Sequence, residues 1–379
     1  MTNSACVYLD CNATTPIEEE VLEVMNRYFR DEYGNAGSRT HRYGTVAAQA
    51  VRIAREQVAA VVNASWENVA FTSGATESNN IAILGFADQA TSLGRRHIIS
   101  TQIEHKAVLG PVEALQKDGF EVTLLKPNRA GLVEAGAVKE ALRPDTALVS
   151  IMQVNNETGV VQPLAEIAEL LVDHDAVFHT DAAQGFGKEL DALKHPRIDL
   201  ISATAHKIYG PKGVAALILK PTERTKGLTA LMFGGGQERE LRPGTLPVPL
   251  VVGFGLAAEM AVRDHAKRRD KCVAFRRELL NALEPLSPTV HGDSARVLPH
   301  VINLRFGTID SEAVMLALRE EVAVSNGSAC TSSSYEPSHV LTAMGLGEEA
   351  AQAAIRWSWC HLTPRPDWGR VVEVVEMLR

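Results

Sequence analysis

Short apolar runs alternate with amphipathic stretches along more than half of the chain. The runs at residues 69–72, 146–152 and 177–180 are short and contain β-branched side chains, which is typical of buried strands. Between them, apolar side chains recur every three or four residues, as from about residue 45 to residue 62, and this spacing predicts helices. Strands that alternate with helices indicate an α/β fold, with a mainly parallel central sheet and helices on both faces.

The pattern changes from about residue 251. A long helix is predicted from there to about residue 283, followed by a smaller α+β region. We therefore predict a large domain over residues 16–257 and a small domain formed by residues 1–15 and 258–379, with the functional site between them. Near the N-terminus, the run from Thr15 to Glu18 predicts a helix start with Thr15 as its N-cap.

Composition narrows the function classes. The chain has 379 residues, 45% of them hydrophobic, so it can bury a large core. Its net charge of −8 argues against direct binding of nucleic acid, whose phosphates attract clustered Lys and Arg. No apolar run approaches the roughly 18 residues that span a bilayer. The start lacks the features of a secretory signal. We expect a cytoplasmic enzyme with no membrane segment.

The five cysteines are few, odd in number and scattered, and none forms a CxxC pair. This argues against a zinc site and against a disulfide framework, so no metal is predicted. Cys6, Cys272 and Cys360 lie in apolar or helical contexts, which is typical of structural thiols. Cys11 is ambiguous. Cys330 lies in a run of small residues that suits an exposed nucleophile, although an incidental thiol in a surface loop is an equally open interpretation.

Polar residues at strand ends favour a pyridoxal phosphate (PLP) site. Gly74 lies between a strand and a helix, where free N–H groups and the Thr76 hydroxyl could hold a phosphate. Asp181 and Lys207 each follow a strand, and PLP needs a carboxylate for its ring nitrogen and an amine for its aldehyde. His105 begins a helix after another strand and could stack on the ring. Taken alone, each of these residues could simply cap a helix or lie at the surface. Their occurrence together favours a PLP site.

One glycine pattern is interpreted as packing. The run from Gly253 through Gly255 to Ala258 matches the GxGxxA fingerprint of dinucleotide sites. No acidic residue ends a second strand about 20 residues further on, as that fingerprint requires. Small residues of a helix that packs closely on its neighbours are therefore the favoured interpretation.

Nine strings along the chain resemble the cysteine desulfurases. They are LDCNATTP, GNAGSRTHRYG, FTSGATESNN, EHKAV, NNETGVVQP, HTDAAQ, HKIYGPKG, GGGQERELRPGT and NGSACTSSS. This family belongs to the class V aminotransferase superfamily of PLP enzymes with fold type I. The last string is similar to group I, the NifS/IscS-like members. The resemblance runs in order from Tyr8 to Arg356 and so covers nearly the whole chain.

The resemblance implies a role for residues at the matching positions. Lys207 would hold PLP covalently and then move the substrate's Cα proton, Asp181 would pair with the pyridine nitrogen, and His105 would stack on the ring. Cys330 would be the nucleophile that attacks the substrate sulfur. The remaining implied roles are Ala75, Thr76, Thr204 and His206 on the phosphate, Gln184 and Asn156 near the phenolic oxygen, Thr245 from the other subunit of a homodimer, Arg356 on the substrate carboxylate, and Asn156 on the substrate as well.

The implied reaction converts L-cysteine to L-alanine and leaves a persulfide on Cys330, which passes to a sulfur-acceptor protein. The chain ends at Arg379, sooner after Arg356 than housekeeping members do. We therefore expect a dedicated thiolation pathway, such as tRNA or DNA sulfur modification, rather than general iron–sulfur assembly. Cys11 stands where the family has Asn or another polar residue, so a second thiol is expected near the site entrance. Glu240 stands where Gly is common, which predicts a stiffer Thr245 loop.

Three alternatives remain open at this stage. One is another class V enzyme, such as an aminotransferase, in which Cys330 would be incidental. A selenocysteine lyase is a closer variant. A non-catalytic sulfur-relay scaffold is the third, although Lys207, Asp181 and His105 argue against it.

Overall fold

The structure, a computed structural model, describes residues 6–327 and 337–379. The predicted nucleophile, Cys330, lies outside the described residues. The helices are α1 Glu19–Arg30, α2 Arg42–Val61, α3 Ala75–Leu84, α4 Ala87–Ser92, α5 Lys106–Lys117, α6 Ala135–Ala141, α7 Leu164–Leu170, α8 Val248–Arg263, α9 His265–Leu283, α10 Ser311–Leu318, α11 His339–Ala343, α12 Glu348–Gln352 and α13 Trp368–Glu376. The strands are β1 Val7–Tyr8, β2 Val69–Thr72, β3 His97–Thr101, β4 Glu121–Leu125, β5 Thr146–Ser150, β6 Val177–Asp181, β7 Leu200–Thr204, β8 Ala215–Leu219, β9 Thr289–His291, β10 Val301–Arg305, β11 Val322–Ala323 and β12 Ile355–Ser358.

A seven-stranded sheet with the order β2-β8-β7-β6-β5-β3-β4 forms the centre of the fold. Strand β8 is antiparallel to both of its neighbours, and the other pairs in this sheet are parallel. The predicted α/β class with a mainly parallel sheet is therefore confirmed. Because β6 and β7 run parallel, their carboxyl ends meet at one edge, where Asp181 pairs in register with Ser202.

Separate apolar cores pack on the large sheet and on the small sheet. The first core includes Phe71, Phe178 and Phe254, and a further cluster around Ile98 packs on the same large sheet. The second lies around the antiparallel sheet β9-β10-β12 and contains Trp357 and Trp359 among its fully buried side chains. Two separate cores support the division at residues 16–257 and 258–379, which stays a prediction because α11 and α12 pack on the first core.

The single helix predicted from residue 251 to residue 283 is wrong, because two helices occupy this stretch. Helix α8 ends at Arg263 and α9 begins at His265, with Asp264 between them in a non-helical conformation. Helix α8 buries Phe254 and its neighbours in the first core, whereas α9 buries Phe275 and its neighbours in the second. The break at Asp264 thus lets α8 pack in the first core and α9 in the second. The spacing of apolar residues alone does not reveal this break.

Thr15 is not an N-cap, which corrects the predicted start of the first helix. Helix α1 begins at Glu19, with Glu18 as its N-cap residue. The Thr15 hydroxyl instead donates to the carbonyl of His206 at 3.0 Å and accepts from the N–H of Tyr209 at 2.9 Å. These bonds tie the N-terminal segment to the turn after β7.

The glycines of α8 serve helix packing, as the sequence predicted. A Cβ atom on Gly255 would lie 2.6 Å from Cα of Ala54 in α2, and one on Gly253 would lie 2.7 Å from Sδ of Met25 in α1. Helix α8 therefore approaches both helices too closely for larger side chains. Within residues 6–327 and 337–379, no helix combines the length and apolar character needed to cross a membrane.

Candidate active site

A cavity of about 280 Å³ lies at the carboxyl ends of β6 and β7. It brings together most of the residues that the sequence singled out. Those that line it are Ala75, Thr76, His105, Asn156, Asp181, Gln184, Thr204, His206 and Lys207. Thr245 and Arg356 are not among the lining residues: Thr245 is exposed at the surface, and Arg356 donates to the carbonyl of Asn156, which lines the cavity. We call this space the central cavity.

One side of the central cavity suits a phosphate. Helix α3 begins there at Ala75, and its N-cap residue Gly74 provides no side-chain bond to the first N–H groups. Free N–H groups at a helix N-terminus bind anions well. The hydroxyl of Thr204, in the same cavity, is buried and has no hydrogen-bond partner. An open helix start beside an unpartnered hydroxyl therefore fits a bound phosphate.

Glu77 lies in the first turn of α3, and its charge is compensated. Its carboxylate accepts from the Ser73 N–H at 2.6 Å and pairs with Arg242 at 2.8 Å. Burial raises the pKa of Glu77, but the bonds from Arg242 and Ser73 outweigh burial and lower it overall. The ion pair also fastens the segment before Thr245 to the helix start.

Asp181 ends β6 and is held as a hydrogen-bond acceptor. One carboxylate oxygen accepts from the side-chain amide of Asn79 at 2.7 Å, and the other accepts from the N–H of Ala183 at 2.9 Å. Only 7% of Asp181 is exposed. A fixed, buried carboxylate suits a protonated ring nitrogen, which is the partner that PLP offers.

Lys207 lies in a short 3-10 turn that follows β7 directly. Its amine donates to the backbone carbonyls of Asn12 and, at 2.8 Å, Ala13. The side-chain amide of Gln184 also donates to the Asn12 carbonyl, at 2.9 Å, which leaves the buried Gln184 oxygen without a partner. The N-terminal segment therefore orients the Lys207 amine. Sequence motifs do not indicate this contact, because the acceptors are backbone carbonyls, which every residue has.

The two histidines of the central cavity are held neutral. Burial lowers the pKa of His105, and the charge of Lys207 lowers it further against the opposing effect of Asp181. The Nδ1 atom of His105 accepts from the Ala107 N–H at 3.0 Å, so the proton of the neutral ring is on Nε2. Burial, together with nearby lysines such as Lys207, lowers the pKa of His206 to about 4.

Arg356 projects from β12 and is 97% buried, with 3% of its surface exposed. Its guanidinium donates to the Asn156 carbonyl at 3.1 Å and to the Asp10 carboxylate at 2.5 Å, while Nε has no partner. The predicted ligand of this arginine was a substrate carboxylate. In this structure Asp10 binds the guanidinium instead, and no sequence motif indicates this pair.

The structure corrects two statements about cysteines. Cys11 is buried and contacts Cys360 and Tyr209, so it is not a thiol at the site entrance. Cys6 is exposed rather than structural, whereas Cys272 and Cys360 are buried as predicted. No group of three or more His, Cys, Asp or Glu side chains in the described ranges could bind a metal.

These residues fit PLP on observations that are independent of sequence motifs. An open helix start, a fixed carboxylate and a half-buried amine line one cavity. Two buried polar atoms there, on Gln184 and Thr204, lack partners and could bind polar atoms of the cofactor.

A family model for aminotransferase class-V matches residues 7–367. The chain therefore belongs to the class V aminotransferase family. It is 47% identical to the cysteine desulfurase IscS of Anaeromyxobacter dehalogenans (strain 2CP-C) over 353 residues, which are 93% of this chain and 87% of that protein. The chain is thus a PLP-dependent enzyme of the cysteine desulfurase group, as the resemblance implied.

Two solved structures are similar over most of the chain. The crystal structure of DndA from Streptomyces lividans is 47% identical, with a TM-score of 0.82 over 92% of this chain and 98% of that one. A structure of SspA in complex with cysteine is 38% identical, with a TM-score of 0.83 over 93% of this chain and 98% of that one.

Proposed function

We propose that the protein removes sulfur from L-cysteine, leaves L-alanine, and carries the sulfur as a persulfide on Cys330 to an acceptor protein. The observation that carries this proposal is the meeting of Lys207, Asp181 and His105 in one cavity next to Arg356. The desulfurase names of the relatives and the cysteine in the SspA complex support cysteine as the substrate.

PLP, when bound, supplies an aldehyde that captures the substrate amine and a ring that takes up negative charge from the substrate's Cα. The N–H groups at the start of α3, with Thr76 and Thr204, would hold its phosphate. Asp181 would keep a proton on the ring nitrogen, and Asn79 would keep Asp181 in place. Gln184 and Asn156 would lie near the phenolic oxygen.

Proton movement is assigned to Lys207 and His105. The amine of Lys207 would take the proton from Cα, with the Asn12 and Ala13 carbonyls guiding its return. His105 would move a proton at Nε2, since its Nδ1 is occupied by the backbone of α5. Arg356 would exchange the carboxylate of Asp10 for that of the substrate, which orients the substrate by its carboxylate.

The sulfur step is assigned to the Cys330 thiolate. It would attack the substrate sulfur, so that an S–S bond forms and the bond between Cβ and sulfur breaks. The electron pair of the broken bond remains on the substrate carbon and is protonated, giving alanine. One thiol and one cysteine thus become one persulfide and one alanine, and no external oxidant or reductant is needed.

The direct test replaces the nucleophile. Cys330→Ala should keep the yellow colour of bound cofactor but lower alanine formation from cysteine roughly a hundredfold or more, because the sulfur has no acceptor. Amino-acid analysis measures the alanine. Cys6→Ala is the matched control, since Cys6 is exposed and is expected to leave the rate unchanged. Undiminished alanine formation by Cys330→Ala would contradict the proposal.

The protein is further proposed to act as a homodimer in which Thr245 of each subunit serves the phosphate of the other. Thr245 is exposed and does not line the central cavity of its own subunit. The preceding residues Leu231, Met232 and Phe233 form an exposed apolar run, in which Phe233 is 93% exposed. Consecutive apolar residues that are exposed at the surface are typical of a protein–protein interface.

We propose that the acceptor belongs to a dedicated sulfur-modification pathway. The 47% identity to DndA supports this assignment, while the IscS relatives at a similar identity support iron–sulfur cluster assembly. Enzyme loaded with ³⁵S from cysteine should transfer its label faster to a thiolation-pathway acceptor than to an iron–sulfur scaffold protein. Faster labelling of the scaffold would assign the protein to cluster assembly instead.

A further inference from the structure

Glu157 is a buried carboxylate to which the reaction described above assigns no task. It is 1% exposed and directly follows Asn156, whose carbonyl binds Arg356. Burial raises the pKa of Glu157, although the Ser338 hydroxyl, His339 and Arg356 act in the opposite direction. Burying an acid is costly, so a buried carboxylate beside the proposed substrate-binding residues suggests a specific role.

The first contact of Glu157 is with Ser338. The Ser338 hydroxyl donates to the Glu157 carboxylate and also caps α11, where it accepts from the Leu341 N–H at 3.1 Å. The next residue, His339, donates from Nε2 to the carbonyl of Glu104 at 3.0 Å. The start of α11 is thus fastened to residues adjacent to both Asn156 and His105.

Glu157 also lies beside Gly327. Gly327 has a φ of +82°, and a Cβ atom there would lie 3.1 Å from Cγ and 3.4 Å from Oε2 of Glu157. Just before it, Ser325 exchanges two backbone hydrogen bonds with Arg356, at 3.2 and 2.6 Å. Glu157 therefore binds Ser338 and lies beside Gly327, and these two residues flank the segment that contains Cys330.

We propose that Glu157 is a positioning residue that holds both flanks of the Cys330 segment against the residues that bind substrate. This rests on the proposed sulfur transfer to Cys330. Cys330 is three residues from Gly327, and three residues span at most about 11 Å. A fixed Gly327 therefore limits how far the thiol can be from Asn156 and Arg356. Small errors in the placement of a reacting group cost large factors in rate.

The test compares Glu157→Ala, Glu157→Gln and Ser338→Ala. Two quantities are measured: the kinetics of alanine formation, and the rate at which iodoacetamide alkylates Cys330 without substrate, followed by peptide mass mapping that separates Cys330 from exposed Cys6. Glu157→Ala and Ser338→Ala should lower kcat about tenfold or more. KM for cysteine should stay within about twofold, since substrate binding is not touched. Alkylation should change by about threefold or more.

Glu157→Gln should stay close to the wild type in both measurements, because its amide oxygen still accepts from Ser338 and its size is unchanged. Val340→Ala is the control for general destabilisation, since it weakens the packing of α11 without touching Glu157. If Val340→Ala reproduces the loss in kcat and the change in alkylation, Glu157 has no specific role.

Wild-type kcat and alkylation in Glu157→Ala would overturn the positioning role. Should Glu157→Ala fail to fold, Ser338→Ala removes the same hydrogen bond from the other side, and its wild-type behaviour would overturn the role equally. Because alkylation needs no substrate, it tests the anchoring even if the wild type forms no alanine, an outcome that would instead reject the proposed function.

Discussion

Glu104 is a buried acid whose protonation makes the stability of the fold depend on pH. It precedes His105 and is fully buried, with one oxygen accepting from the Thr101 hydroxyl and the Met152 N–H and the other unpartnered. Burial raises the pKa of Glu104 to about 8, and the nearby charge of Asp181 adds to this increase. The folded protein therefore keeps a proton on Glu104 at neutral pH.

This pKa predicts a loss of stability as the pH rises. The unfolded state loses the Glu104 proton near its ordinary pKa of about 4.3, while the folded state keeps it until about pH 8. The folded state binds more protons in this window, so the free energy of unfolding falls with pH. Glu104→Gln cannot ionise and should remove this part of the loss. Thermal unfolding between pH 5 and pH 8.5 measures it, and identical pH profiles for the two proteins would contradict the prediction.

At the residue scale, sequence reasoning found side chains that stand at strand ends. Asp181 and Lys207 were predictable because parallel strands deliver their carboxyl ends to one edge. Asn79 and Asn12 were not, because the first acts through another side chain and the second through its carbonyl. Glu157 carries no motif signal of its own, since its role depends on residues far away in sequence.

At the scale of elements, close packing of α8 on α2 explains a glycine pattern that resembles a nucleotide motif. Gly255 leaves no room for a Cβ atom beside Ala54 and Gln57. Gly136, by contrast, lies in α6 with open space around its Cα, and it is exposed. Replacing each glycine with alanine therefore distinguishes two effects: close packing at Gly255 and helix propensity at Gly136.

We predict opposite effects for the same substitution at these sites. Gly255→Ala should lower the free energy of unfolding by about 1–3 kcal/mol, because the new methyl group overlaps α2. Gly136→Ala should raise it by about 0.5–1 kcal/mol through helix propensity. Denaturant unfolding measures both. Equal effects at the two positions would show that α8 does not pack as tightly as described.

Element boundaries were harder to predict than the elements themselves. Thr15 has the spacing of an N-cap, yet its hydroxyl serves the turn that carries Lys207. The break at Asp264 follows from the presence of two cores, which a single stretch of apolar spacing cannot reveal. In both cases a contact distant in sequence outweighed a local preference.

At the scale of the whole molecule, the segment before Thr245 is anchored to its own subunit. Glu238 is buried, pairs with Arg55 and accepts from the Phe71 N–H at 2.6 Å. Three consecutive residues from Glu238 have positive φ, an uncommon backbone conformation, and the predicted stiffness of this loop stays a prediction. A surface loop anchored through Glu238 is well suited to complete a site in a second subunit, as the proposed homodimer requires.

In the proposed homodimer, Thr245→Ala should therefore weaken PLP binding without dissociating the two subunits. Loss of one hydrogen bond to a charged phosphate costs about 1.5–3 kcal/mol, or roughly ten- to a hundredfold in Kd. Equilibrium dialysis measures PLP retention, and light scattering measures the mass. Thr308→Ala, at an exposed position outside this segment, is the control. A monomeric wild type that retains PLP fully would contradict the arrangement.

The pair between Arg356 and Asp10 also bears on which amines the enzyme accepts. Without substrate, the guanidinium already has a carboxylate partner inside the protein. An α-amino acid offers an equivalent carboxylate, so Arg356 would exchange one anionic partner for another and would not be left as an unpaired buried charge. An amine that lacks this group, such as cysteamine, cannot make the trade. If Arg356 binds the substrate as proposed, Asp10 is an internal competitor that the substrate carboxylate must displace, and an amine without a carboxylate would leave the Arg356–Asp10 pair in place.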